Sequence, residues 1–296
     1  MKMEQCEIIF DRSAFHGRFF KHLLESRVKD AVENRDIVIY HTPVFIEETL
    51  VMYKSNNTRK TLKRQIPFIL DICNGGFFQD FFDIWHLELQ ENNNTKSDFL
   101  FSKSKEKLFV QNIKMLVHDD KISQKKLSEL TDETHLSKLQ AYAHKDFYKK
   151  LRDEYYSTLK SELKTGKNKK EIFNEILYTE LDIAGRNFIE NHLSINNINV
   201  YEKWKDSKSA YPYLTNFLIL LLYSMFYVIS EPNRKIDVNA VADITNLMFL
   251  TDTNIIVSND QGFMKDAFEF LFSDRDRKYF SPEEFVNFIS SGNKFR

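Results

Sequence analysis

Two cysteines in 296 residues, Cys6 and Cys73, cannot build a disulfide framework or close a zinc site. Reduced thiols in a cytosolic protein are the simple reading, so the cytoplasm is the expected compartment. Seven glycines and five prolines supply little material for a turn-rich all-β fold and favour long helices. The formal net charge is −1, so no global basic field advertises a nucleic-acid partner. No Walker loop, GxGxxG, HExxH or paired-cysteine zinc motif occurs. The opening residues, MKMEQCEIIFDRSAF, hold no long apolar run ahead of a small-residue cleavage site, and no signal peptide is expected.

What is present points to a folded soluble chain. Hydrophobic residues make up 42% and charged residues 29%, the balance of a globular protein with one large or two modest domains. Phenylalanine is abundant, with 27 copies. Charge is unevenly spread: Lys103 to Lys170 holds seventeen Lys/Arg against ten Asp/Glu, so a basic middle lies between acidic ends. Such a middle either meets phosphates or is a solvated helical surface. The aromatic-basic stretch with Lys149, Lys150 and Arg152 is the best candidate for single-strand contact, although an amphipathic helix gives the same pattern. The eight histidines are scattered singly and read as surface or core residues, and Trp85 reads as core. Tyr211 to Ser230 carries no charge and reaches membrane-spanning length. Pro212, Thr215, Asn216 and Ser224 interrupt it, so a buried central helix is expected and no membrane.

Periodicity places strands at both ends. CEIIF (6–10) and IVIY (37–40) are short apolar runs. An amphipathic helix is expected over 14–34, and Pro43 opens another. SNNTRKTLKRQ from Ser55 reads as a polar loop entering a helix. Residues 91–98 read as a loop, 103–192 as lysine-rich helices, and 194–199 as a turn. A strongly apolar helix is expected over 237–250, a strand over 254–258, a helix over 261–272 and a strand over 278–280. Ser281-Pro282-Glu283-Glu284 then starts a last helix with a capping box. Alternating strands and helices predict a parallel sheet covered on both faces.

Two of these strands end in aspartate, at Asp11 and Asp260. In an open parallel sheet, sites form outside the carboxyl ends of strands. Asp243 lies in the apolar helix before the second strand, where an ionised carboxylate is costly unless paired or bound to a cation. Glu47 and Glu48 lie one turn into the helix after the second strand. Crowded carboxylates repel unless a cation offsets them, and oxygen-rich clusters suit Mg2+ or Mn2+.

These segments together resemble the PIN-domain nuclease family. IIFDRSAF is similar to its first strand, an apolar run ending in Asp with Ser or Thr two residues on. IVIYHTPVFIEETL resembles its second strand and glutamate-bearing helix. DITNLMFLTDTNIIVSNDQGF (243–263) resembles its block of Asp-led helix, strand and Ser/Thr-x-Asp ending, and YFSPEEFVNFI its closing strand and helix. The resemblance covers about 55 residues at the amino end and 85 at the carboxyl end. It implies a three-layer α/β/α fold with a mainly parallel central sheet, formed by 1–55 and 209–296, with 56–208 as a mostly helical insertion. It also implies Asp11, Glu48, Asp243 and Asp260 as catalytic, metal-binding acids for Mg2+ or Mn2+. Glu47 is the alternative glutamate, and Ser13 and Ser258 are supporting hydroxyls. The implied activity is metal-dependent hydrolysis of phosphodiester bonds, in RNA before DNA, with the insertion open to a protein partner or inhibitor. The alternative is a catalytically inactive PIN-like module that binds RNA or a protein.

Overall fold

The computed structural model describes residues 6–51, 56–90, 95–118, 146–195, 197–234, 240–273 and 276–291. Five strands form its sheet: β1 (Cys6–Phe10), β2 (Ile37–His41), β3 (Gly76–Phe77), β4 (Ile255–Val257) and β5 (Lys278–Phe280). Their order is β3-β2-β1-β4-β5, and every pairing is parallel.

The strand sequences explain why both faces are covered. Alternate side chains leave a strand on opposite sides. Ile8 and Phe10, Ile37 and Ile39, Ile255 and Val257 enter one hydrophobic cluster. Ile9, Tyr40 and Ile256, which alternate with them along the strands, enter the other, with Val38 packed against it. Each face therefore has its own core, which is the arrangement of a three-layer α/β/α fold.

The first layer holds α1 (Arg18–Glu25), α2 (Val28–Glu33), α4 (Asn56–Ile72), α6 (Lys103–His118) and α13 (Pro282–Ser290), with α3 (Pro43–Val51) entering through Phe45 and Ile46. The second holds α5 (Phe81–Gln90), the helical stretch α7 (146–164), α8 (Lys169–Asn187), α9 (Ile198–Asp206), α10 (Pro212–Ser230), α11 (Ala240–Met248) and α12 (Phe263–Phe272).

The long α10 is the apolar segment singled out in the sequence. By length and composition it is the one described helix able to cross a membrane. Here Leu214, Phe217, Leu218 and Leu220 are buried among α5, α8 and α11. Its ends are tied by opposite charges. Glu88 accepts from Tyr213 N and Leu214 N, both at 2.8 Å. Arg152 of α7 donates to the carbonyls of Val228, Pro232 and Arg234 at 2.9, 3.1 and 3.2 Å. A carboxylate at a helix amino end and a guanidinium at its carboxyl end both oppose the helix dipole favourably.

Several sequence expectations are corrected. The single helix expected over 14–34 is a 3-10 turn (Arg12–Phe15) followed by α1 and α2. Gly17, at φ +52°, breaks the first junction. At the second, the Ser26 hydroxyl donates to Leu23 O and accepts from Val28 N, which ends one helix and starts the next. The polar loop from Ser55 is helical from Asn56, because Leu62, Ile66, Ile69 and Ile72 recur on one buried face. Strand β3 was not anticipated, since two residues make no pattern. Gly75 and Gly76 permit it: a Cβ on Gly75 would lie 2.6 Å from the Tyr40 ring, and Gly76 has φ +103°. The expected turn at 194–199 is present, with Ser194 at φ +55°, but ends two residues early, where α9 begins at Ile198 and the Asn197 side chain accepts from Asn199 N.

The division into core (1–55 and 209–296) and insertion (56–208) does not follow the packing. Strand β3, inside the supposed insertion, pairs with β2. Trp85, Phe173, Ile189 and Trp204 share one cluster with Leu247 and Ile256. Lys96 reaches back to Glu7 of β1 at 2.6 Å and to Asp252 O at 2.7 Å. Residues 119–145, which carry much of the basic middle together with His135 and His144, lie outside the described residues, as do 91–94 and 237–239.

Candidate active site

The strand order has one reversal. From β1 the chain moves to β2 and β3, then returns to place β4 on the other side of β1. Ligand sites of open parallel sheets form at such a reversal, beyond the carboxyl ends of the strands. Asp11 directly follows β1, and Ser258, Asn259 and Asp260 directly follow β4. The paired register Phe10↔Val257 puts the two ends side by side.

Asp11 is buried at 6% exposure and its two oxygens are used differently. Oδ2 accepts from Ser13 N at 3.1 Å, from the Ser13 hydroxyl, and from the Ser258 hydroxyl at 2.9 Å. Each hydroxyl is in turn an acceptor. Ser13 Oγ takes Asn259 N at 2.8 Å and Ser258 Oγ takes Asp260 N at 3.0 Å. The two hydroxyls also lie 3.1 Å from each other, and the two loops are laced together around one carboxylate oxygen. Oδ1 has a longer contact, Asn246 Nδ2 at 3.5 Å. Asn246 is itself fixed by Thr42, whose hydroxyl donates to Asn246 Oδ1 at 2.7 Å.

Asp260 forms a turn: its Oδ1 accepts from Gly262 N at 2.7 Å, and its carbonyl accepts from the Tyr279 hydroxyl at 2.6 Å. That phenol is held well above its ordinary range by burial first and by the charges of Asp260, Asp11 and Asp243, against the opposing pull of a hydrogen bond with Ser258. All three aspartates therefore lie within electrostatic reach of one hydroxyl. Asp243 sits half-buried in the first turn of α11.

Of the adjacent glutamates, Glu47 is exposed and Glu48 half-buried. Burial, then the neighbouring Asp11 charge, push the Glu48 carboxyl up to about 7 against the pull of Arg12. Glu48 is thus electrostatically coupled to Asp11. Arg12 is buried at 4% exposure. Its Nη2 donates to Gln65 Oε1 at 2.6 Å, while Nε and Nη1 meet no acceptor among the described residues. Burial brings its pKa down to about 10, opposed by Glu48 and Asp11.

The structure joins Asp11, Ser13 and Ser258 by direct hydrogen bonds, couples Glu48 electrostatically to Asp11, and sets Asp243 and Asp260 within electrostatic reach of Tyr279. The donor set is all oxygen and negatively charged, which suits Mg2+ or Mn2+. Among the described residues, however, no three acidic, histidine or cysteine groups stand together as a ligand set. Lys149 and Lys150 are exposed on α7, away from these contacts, while Arg152 is engaged with α10.

Thr42, Asn246 and Tyr279 were not singled out as site residues. Thr42 follows β2 as Asp11 follows β1, so the same rule applied to uncharged polar residues finds it. Asn246 stands one helical turn beyond Asp243, which is a recoverable spacing. Nothing local marks Tyr279, whose place depends on β5 lying beside β4. No protein-family model matches the chain, and neither a curated protein nor a solved structure matches it.

Proposed function

We propose that the protein is a divalent-metal-dependent nuclease of PIN-like type that hydrolyses phosphodiester bonds in RNA, acting in the cytoplasm. The observation that carries this reading is the convergence at the β1/β4 reversal. Asp11 is shared there between two loops and raises the proton affinity of Glu48, and Asp243 and Asp260 act on the same phenol.

Asp11, Glu48, Asp243 and Asp260 would hold Mg2+ or Mn2+, an ion that would neutralise phosphate charge and make water a better nucleophile. Mg2+ keeps several waters and needs only one or two direct carboxylates, which accommodates acids spaced more widely than a closed ligand set. The chain's own contributions are separable. Ser13 and Ser258 lock Asp11 through Oδ2 and turn Oδ1 toward Asn246. Thr42 fixes the amide of Asn246 so that its Nδ2 faces Asp11. Glu48, whose carboxyl burial and the Asp11 charge hold near 7, would gain from the ion a counter-charge that keeps it in the ionised form.

Labelled single-stranded RNA and DNA, incubated with the full chain in Mn2+ or in EDTA, provide the test. RNA cleavage that needs the metal and falls at least a hundredfold in Asp11→Asn and Asp260→Asn is expected. Full activity in both variants would sink the assignment. A second reading, a PIN-like module that binds RNA or a protein without cutting, is favoured by the absence among the described residues of three acids in ligating array. RNA binding by a metal-loaded chain that never cleaves would establish it.

A further inference from the structure

Helices α4 and α6 pack side by side in the first layer, and both are strongly cationic. Residues 60–72 and 103–118 hold seven Lys/Arg against two Asp/Glu, in a chain whose net charge is −1. The spacing gathers the cations into stripes. Lys60, Lys63 and Arg64 stand at i, i+3 and i+4 on α4, and Lys103, Lys107 and Lys114 at i, i+4 and i+11 on α6. All six are exposed. The two acids take up little of this charge: Asp71 pairs with Lys29 of α2 at 2.8 Å, and Glu106 lies 3.4 Å from Lys103.

The topology sets these stripes beside the acidic centre. Strands β2 and β3 are parallel, so α4, which comes after β2 and leads to β3, starts on the carboxyl side of the sheet. Helix α6 starts there too, because Phe101, two residues before it, donates to Phe77 O at the end of β3 at 2.8 Å. Helix α4 is also tied directly to the acidic loop. Gln65, the residue after Arg64, donates to Phe15 O at 2.6 Å and accepts from Arg12, the residue after Asp11, at 2.6 Å. At 1.5 Å per helical residue, Lys60 to Gln65 spans about 8 Å and Lys103 to Lys114 about 16 Å.

We propose that the outer face of α4 and α6 is the surface along which the phosphate backbone of an RNA strand runs to the acidic centre. A row of cations over this length meets several phosphates and releases their counterions, with no need to read a base. An anionic membrane is the other polyanion such a face could meet. Helix α6 does expose Leu108 and Met115, at 59% and 51%, but they lie about 100° round the helix from its lysine stripe. Among the described residues α4 exposes no large apolar side chain. The charge on α4 therefore has no apolar anchor beside it, which favours a strand over a lipid surface. The surface's place on the path to cleavage rests on the nuclease reading, whereas its affinity for a strand does not.

Fluorescence anisotropy of a labelled single-stranded RNA, titrated with the full chain in EDTA at several salt concentrations, tests the surface. Two triple variants remove one stripe each: Lys60→Gln with Lys63→Gln and Arg64→Gln, and Lys103→Gln with Lys107→Gln and Lys114→Gln. Each should weaken binding about tenfold or more and flatten the log–log salt slope by about 2, the loss of three phosphate contacts. Both should melt as the native chain does, since all six side chains are exposed. Lys149→Gln with Lys150→Gln, on α7, should bind within about twofold of the native chain. No RNA binding by the native chain, native affinity in either triple variant, a loss of the same size in the α7 variant, or binding of phosphatidylserine vesicles in place of RNA each overturns the proposal. Metal-dependent cleavage in Mn2+ with KM unchanged in both triple variants keeps the nuclease and removes the surface. RNA binding with the expected variant effects, but without cleavage, keeps the surface and removes the nuclease.

Discussion

At Asp11 the two carboxylate oxygens have different partners, and this difference sets the character of the site. Three donors converge on Oδ2. At the neighbouring Glu48, burial and the adjacent Asp11 charge lift the carboxyl to about 7 from 4.5. The consequence for stability has a definite sign. Below pH 4.5 Glu48 is protonated in both folded and unfolded chains, and the site costs nothing. Between pH 4.5 and 7 the unfolded chain releases the proton while the folded chain retains it, so stability falls as pH rises. Above pH 7 the whole penalty is present, of the order of 2–3 kcal/mol. Glu48→Gln is therefore expected to be more stable than the native chain at pH 8 in EDTA, by up to about 3 kcal/mol, with the gain shrinking toward pH 4.5. Urea denaturation at pH 5 and pH 8 measures this, and equal gains at both would rule out the buried-charge account.

Among the helices, α10 shows how an apolar sequence is held by polar residues far from it in the chain. Its composition made it legible as a helix, but its two end ties were not legible. Glu88 carries no local signal of its role. Arg152 looked like part of a strand-binding basic patch. In the fold, both satisfy backbone groups of α10 that the helix itself leaves unpaired. Replacing Arg152 with alanine is expected to cost about 1–3 kcal/mol, because it strips donors from three carbonyls. It should leave single-stranded RNA affinity within twofold. Thermal denaturation with a filter-binding measurement distinguishes this from the nucleic-acid role, in which affinity falls and stability does not. Strand β3 gives the opposite lesson. It has two residues and no periodicity, and it exists because Gly75 and Gly76 let the backbone settle against Tyr40 and Val38.

Across the whole molecule, the sheet has a separate core on each face, and both draw on residues from the amino end, the middle and the carboxyl end. The middle is therefore part of the structure that positions the site. Deleting 56–208 would remove β3, strip α10 and α11 of much of their packing, and free Glu7 from Lys96. Such a chain is expected to show no cooperative unfolding transition and no protected amide core by hydrogen exchange. A cooperatively folded product would restore the view of the middle as a detachable insertion. Within the intact fold, Ile256→Ala should cost about 2–5 kcal/mol, as expected for a cavity beneath a packed side chain.

The sequence by itself determined the parallel α/β alternation, because strands buried on both faces must be short β-branched runs and the helices between them must be amphipathic. It also marked Asp11 and Asp260, since a polar residue ending an apolar strand is a local signal. Only the tertiary structure decided that β4 lies beside β1. That adjacency brings Ser13 and Ser258 onto one carboxylate oxygen across 245 residues of chain. It also decided that Glu48 feels Asp11, and that Asn246 and Thr42 stand beside it. Hydrogen bonds and charge–charge interactions act through space over a few ångströms. Their partners here are set by strand order and helix rotation, which no local stretch of sequence encodes.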